Sequence, residues 1–280
     1  MSEEPVHKKP CRAPGKIDRA CIYAIVPARA GSKGVKGKNI KDFCGKPLMA
    51  WAINNGVQSK YITRTFVSTD SDEYRQVAIS HGAEAPFLRP AEISHDTATD
   101  FELFVHFLHW MKENEPPEKY PSLLVQLRPT APCLTVETVD AAIARFLENE
   151  DEAYDSLRSV TPADHEPFNM YFVDAHGDSG NRLVPLIPVS HHKDDPSHII
   201  NEPQSVARQI LPKIYWHNAY IDLIRPETIT EQGCCMGRRC LSFHMGPEDT
   251  ADIDTPEQWE DAQKKKLEQL AKAAAKVPAA

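Results

Sequence analysis

Short apolar, partly β-branched runs alternate with segments of helical period along the first half of the chain, and this alternation constrains the fold most. "CIYAIVPA" (21–28) has the composition of a fully buried parallel strand, and "LMAWAINNGVQS" (48–59) follows it with helical spacing. "YITRTFVSTD" (61–70) reads as strand, and "SDEYRQVAISHGAE" (71–84) as helix with Ser71 as cap and Gly82 as stop. "DFELFVHFLHWMKEN" (100–114) predicts a helix, "SLLVQLRPT" (122–130) a strand and "VETVDAAIARFLEN" (136–149) a helix. The order predicts an α/β fold with a doubly wound, mostly parallel sheet and helices on both faces. Ligands of such sheets bind at the carboxyl ends of the strands.

From about 157 to 214 the pattern changes to a hairpin around the polar turn "AHGDSGN", followed by a Pro- and His-rich excursion. We read this as an inserted arm. An arm that cannot bury both faces alone packs on a symmetry mate, so a homodimer is expected. The chain returns through "YWHNAYIDLI" (215–224) and "ADIDTPEQWEDAQ" (251–263). Residues 1–20 mix charge with Pro and Gly and are expected to form an unordered extension, leaving a single domain over 21–272 and a low-complexity tail over 273–280.

The 280 residues, 41% of them hydrophobic, suffice for a substantial core. No run of 18 apolar residues occurs, and "MSEEPVHKKPCRAPGK" lacks the continuous apolar segment of a secretory signal, so no membrane partner and a cytoplasmic location are expected. The formal net charge of −8 argues against nucleic acid as a partner. Seven cysteines scattered along a long chain argue for reduced thiols, and Cys234, Cys235 and Cys240 lack the paired spacing of a zinc site.

Against that acidic balance, six basic residues and one acidic one fall between Arg29 and Lys46. Directly after the first strand, Gly31, Gly34 and Gly37 interleave with Lys33, Lys36 and Lys38. Glycines let backbone N–H groups approach phosphate oxygens and lysines supply compact positive charge, which suits a nucleoside triphosphate. A solvated basic loop is the other reading. The spacing is neither a Walker A loop nor G-x-G-x-x-G.

"IVPARAGSKGVKGKNIKDFCGKPLMAWAI" resembles the opening signature of the acylneuraminate cytidylyltransferases, which activate sialic acids and related 3-deoxy-2-ulosonic acids as CMP sugars. Further matches follow in the family's order: "VSTDSDEYRQVAISHGAEAPFLRPAEISHDTATD", "QLRPTAP", "ARQILPKIYWHNAYIDLI" and "DTADIDTPEQWEDA", together spanning about 22–263. The resemblance implies a Rossmann-like nucleotidyltransferase fold. It also implies that Arg29, Ser32, Lys33, Lys38 and Asn39 contact the triphosphate and ribose of CTP, with Arg89 near cytosine. Asp100 stands where some members have a cytosine-contacting serine.

In "ADIDT" an extended backbone points Asp252 and Asp254 to one side as a pair of hard oxygen ligands. Asp254-Thr255-Pro256-Glu257 also reads as an Asp-capped helix start, and both can hold at once. The family places Mg²⁺ on this pair, with Mn²⁺ as the substitute, and two carboxylates beside a triphosphate repel it without a divalent cation between them. On the acceptor side, Arg128 aligns with a sugar-contacting glutamine of some relatives and Arg208 with an arginine of the acceptor pocket. Asn169 replaces a lysine, and Trp216-His217 an arginine-containing stretch. Tyr215, Trp216 and Tyr220 either wall a sugar pocket or belong to a core strand, and His217 is either a base or structural.

The resemblance thus implies a CTP-dependent cytidylyltransferase: the anomeric hydroxyl of a 2-keto-3-deoxy sugar acid attacks the α-phosphorus of CTP, releasing pyrophosphate. Cytidylyl transfer to a small phosphonate or carboxylate is the near alternative. A nucleotide-binding protein without catalysis is the alternative of another class.

Overall fold

The computed structural model describes residues 15–163, 165–174, 182–246, 251 and 253–275. The chain divides into two compact units, one running to Ser159 and resuming at Ala219, the other Val160–Asn218. In chain order the described strands are β1 (Ile22–Pro27), β2 (Asp42–Phe43), β3 (Lys46–Pro47), β4 (Arg64–Ser68), β5 (Leu123–Leu127), β6 (Ser156–Pro162), β7 (Tyr171–Asp174), β8 (Arg182–Pro185), β9 (Val189–His192), β10 (Asp195–Asn201), β11 (Tyr215–Ile224) and β12 (Cys240–His244). The described α-helices are α1 (Leu48–Gln58), α2 (Asp72–Ser80), α3 (Asp100–Asn114), α4 (Val136–Glu148), α5 (Pro226–Thr230) and α6 (Pro256–Ala275).

The main sheet has the order β12-β6-β11-β5-β1-β4. β1 pairs in parallel with β4 and with β5, and β11 pairs antiparallel with β5. Alternate residues of β1 feed two cores. Ile22, Ala24 and Val26 pack in a cluster with Met49, Ile53, Ala78 and Phe146 from α1, α2 and α4, whereas Tyr23 and Ile25 share the opposite cluster with Phe104, Phe107 and Met111 of α3. This is the expected doubly wound arrangement, with helices on both faces. The chain reaches β4 on one side of β1 and then β5 on the other, so the crevice at the carboxyl ends of β1 and β5 is a topological switch point.

Local chemistry sets the helix starts. Ser71 Oγ accepts the Tyr74 N–H at the head of α2, and Thr99 and Glu102 close a reciprocal capping box on α3. Before α6 the cap is Thr255 rather than Asp254. Thr255 Oγ1 accepts the Gln258 N–H, while the Gln258 side chain reaches back to the N–H groups of Asp254 and Thr255 at 2.7 and 3.0 Å.

Residues 15–20, expected to be unordered, are packed: Ile17 is buried in the core, Asp18 accepts the Ala20 N–H, and Arg225 Nη1 donates to the Gly15 carbonyl at 2.7 Å. A lone apolar residue has no period to read, and its burial depends on tertiary partners. At the other end α6 continues through Ala275, past the expected limit at 272, as its Ala- and Lys-rich composition permits. Residues 1–14 and 276–280 lie outside the described residues.

In the Val160–Asn218 unit, β7 and β8 pair antiparallel with Phe172 opposite Val184 and Val173 opposite Leu183, while the turn 175–181 lies outside the described residues. β9 and β10 form a second ribbon, and Phe168, Ile200 and Leu211 make a small core. The unit's bounds fall slightly later than the expected 157–214, because β6 and β11 run unbroken across the boundary. No disulfide joins the described cysteines, and burial pushes the Cys235 thiol up to about 11. Among the described residues no helix is long and apolar enough to cross a membrane.

Phe107 is fully buried, with its ring edge-on to Phe66 at 5.0 Å. Phe107→Ala is expected to cost about 3–5 kcal/mol, read by chemical denaturation.

Candidate active site

Beyond Pro27 the chain leaves the sheet, and the polar residues it could not carry inside β1 arrive together. A cavity of about 610 Å³ opens at the carboxyl ends of β1 and β5, lined at one end by Arg29, Ser32, Lys33, Gly34, Lys38 and Asn39 of the glycine-lysine loop and by Asp254. Arg89, Thr99, Asp100, Arg128, Pro129 and Thr130 also line it. Every lining residue belongs to the first unit.

The loop is held by one side chain of its own and one from beyond β4. Asn39, 5% exposed, donates from Nδ2 to the Arg29 carbonyl at 3.0 Å, and Asp70, just past β4, accepts the Ala30 N–H at 2.8 Å. Asn39, expected among the contacts to the triphosphate and ribose, is thus bonded to the loop's own backbone.

Lys38 is engaged with the C-terminal segment. Its Nζ donates to the Ile253 carbonyl at 2.6 Å and to Asp254 Oδ1 at 3.0 Å. Ile253 is buried with Val35, Phe43, Leu48 and Trp259, so an apolar cluster fastens the segment to the loop. Gly34 permits the approach: a Cβ there would stand 2.0 Å from the Asp254 carbonyl oxygen. Asp252, the expected partner of Asp254, lies outside the described residues.

Arg89, also in the lining, is 7% exposed, and its Nε and Nη2 are buried without a hydrogen-bond partner among the described residues. Burial lowers its pKa, with Asp70 and Asp100 acting in opposition. Buried donors left open are costly, and Arg89 lines the cavity. Arg128 Nη2 donates to Asp100 Oδ2, so two of the residues that depart from the family pattern pair with each other.

The structure thus brings together Arg29, Ser32, Lys33, Lys38, Asn39, Arg89, Asp100, Arg128 and Asp254 around one cavity. Asn169, Arg208, Tyr215, Trp216 and His217 belong to the Val160–Asn218 unit and are not among its lining. Asn169 and Arg208 are exposed, on short 3-10 turns, and Trp216 is 67% exposed on β11. Sequence reasoning missed Asp96, which also lines the cavity; the polar loop "SHDTATD" that carries it offers no periodic signal.

The fold and cavity define a Rossmann-like nucleotidyltransferase architecture. The solved structure of CMP:2-keto-3-deoxy-manno-octonic acid synthetase complexed with CTP superposes with a TM-score of 0.60 at 16% identity, covering 89% of this chain and 99% of that one. Residues 23–178 match the family model for cytidylyltransferases, and the chain belongs to that family. It is 28% identical over 246 residues to N-acylneuraminate cytidylyltransferase A of Danio rerio, covering 88% of this chain and 51% of that protein. It is 34% identical over 156 residues to the CMP-N,N'-diacetyllegionaminic acid synthase of Legionella pneumophila, covering 56% of this chain and 64% of that one. The chain thus spans between half and two thirds of the length of these two relatives.

Gly34→Ala is expected to force the loop and Asp254 apart, costing about 1–3 kcal/mol by urea denaturation and accelerating amide exchange over 253–255.

Proposed function

We propose that the chain transfers a cytidylyl group from CTP to a 2-keto-3-deoxy sugar acid, releasing pyrophosphate. The observation that supports it best is the clasp of a carboxylate segment, 253–254, onto a cationic loop within one cavity. In the reaction the acceptor's anomeric oxygen bonds to the α-phosphorus of CTP as the α–β bridging P–O bond breaks. Pyrophosphate departs with the electron pair, and the hydroxyl proton passes to solvent or a carboxylate.

Arg29 and Lys33 at the loop are proposed to hold the phosphates, offsetting negative charge as it moves onto the leaving group. The open Nε and Nη2 of Arg89 suit the O2 and N3 acceptors of cytosine. Arg128 is proposed to meet the acceptor's carboxylate. Asn169, Arg208, Tyr215, Trp216 and His217 are proposed for acceptor recognition on their chemistry: a guanidinium suits a carboxylate, and aromatic rings suit the apolar face of a sugar.

The residues present fit a divalent cation: Asp254 lines the cavity with its side chain 69% exposed, and of its hard oxygens only Oδ1 meets Lys38. Asp254, with Asp252, would hold Mg²⁺ or Mn²⁺, which supplies charge neutralisation at the phosphates and a more acidic attacking hydroxyl.

The β7–β8 ribbon is proposed as a homodimer contact, because Val173 and Leu183, paired across it, are 56% and 62% exposed. Leu183→Asp is expected to shift the chain from dimer to monomer in sedimentation velocity at micromolar concentration. We also propose a cytoplasmic location, where CTP is made.

The deciding experiment is pyrophosphate release from CTP and Mg²⁺ against N-acetylneuraminic, legionaminic, pseudaminic and 2-keto-3-deoxy-octonic acids and simple phosphonates. Turnover with a sugar acid is expected, abolished by EDTA and lowered about 100-fold in kcat/KM by Asp254→Asn or Arg29→Ala. Turnover with a phosphonate alone would overturn the acceptor class, and CTP binding without turnover would favour a non-catalytic role.

A further inference from the structure

One carboxylate of the cavity lining bridges two cations of the glycine-lysine loop. Asp96 stands on the loop between the Ala91–Ile93 turn and α3, and its Oδ1 accepts from Arg29 Nη1 at 2.7 Å. Its Oδ2 meets Lys33 Nζ. One side chain thus spans two cations of the glycine-lysine loop, as two oxygens of a phosphate group would. Among the described residues no other carboxylate pairs with these two cations: Asp254 pairs with Lys38 and Asp100 with Arg128.

We propose that Asp96 is a positioning residue that stands in for the phosphates: an internal anion that holds Arg29 and Lys33 in the ligand-free chain and is exchanged for the triphosphate on binding. The inference rests on the reading of this cavity as a triphosphate site. Three features carry it. The contacts are made to those cations best placed to meet phosphate oxygens, so the carboxylate and the ligand cannot both hold them. Second, the pairs are accessible to solvent, with Arg29, Lys33 and Asp96 side chains 31%, 81% and 39% exposed, and exposed ion pairs are weak enough to trade for a polyanion. The same cations hold the Asp96 carboxyl below the usual carboxylate range, as expected of an anion in a preformed anion site.

The exchange has a structural consequence. Two residues after Asp96 the same loop supplies Ala98, Thr99 and Asp100 to the cavity wall. Releasing Asp96 frees this stretch up to the Thr99 cap, so occupancy of the phosphate end is transmitted to the wall beside Arg89.

The test measures binding of inorganic tripolyphosphate, which has no base, by titration calorimetry in EDTA at low ionic strength. Asp96→Asn is expected to bind it about five-fold tighter than wild type, with the gain shrinking at 0.5 M salt as surface electrostatics are screened. Asp96→Glu, which keeps the competing charge, is expected to match wild type. Glu92→Gln removes a charge from the same segment at a residue that contacts no cation of the loop, and is expected to leave affinity within about two-fold. Unchanged or weaker binding by Asp96→Asn would overturn the proposal, as would an equal gain in Glu92→Gln, which would assign the effect to the general field. Wild-type chain that binds neither tripolyphosphate nor CTP would overturn the triphosphate reading itself and this inference with it.

Discussion

A strand buried on both faces can carry no side chain that wants water, and β1 is such a strand. Residues 22–26 are at most 2% exposed, with one set of alternating side chains in each core. Its backbone groups are taken up by β4 and β5 on either side. The first position at which the chain can gather charge is therefore past Pro27, and the glycine-lysine loop begins there. Because β5 runs parallel to β1, its own exit delivers Arg128, Pro129 and Thr130 to the same level. The cavity is where the two exits meet.

The charges gathered there are arranged in two regimes. Arg29, Lys33 and Lys38 are balanced by Asp96 and Asp254 in partly exposed pairs that solvent weakens. Arg89 is different. It is buried, and among the described residues its Nε and Nη2 have no hydrogen-bond partner, a desolvation cost the protein bears. The apolar cluster around Ile253 keeps the carboxylate segment in register with the loop regardless of how the charges are paired.

How much of this was legible depended on the range of the interaction. Helix α3 matched its expected span from end to end because the Thr99–Glu102 box and the apolar period are both local. The glycine-lysine loop was legible as an anomaly of composition. The cap before α6 is Thr255, one residue after the expected Asp254, since both are good caps and only the bond from the Gln258 N–H to Thr255 Oγ1 selects between them. Ile17 had no periodic neighbours, and its burial was invisible until the core it joins was assembled. Asp96 sat in a stretch of polar residues of no distinct pattern, although it spans two cations of the site.

By itself the sequence determined the α/β class, the order of the elements, the family, and the presence of a basic loop after the first strand. Those follow from periods of about two and 3.6 residues and from ordered motifs, which are properties of neighbouring positions. Only the tertiary structure decided which charges face one another. Arg29 meets Asp96 across 67 residues and Lys38 meets Asp254 across 216, and such pairs form because chain crossings bring distant loops to one end of the sheet, which no local spacing encodes.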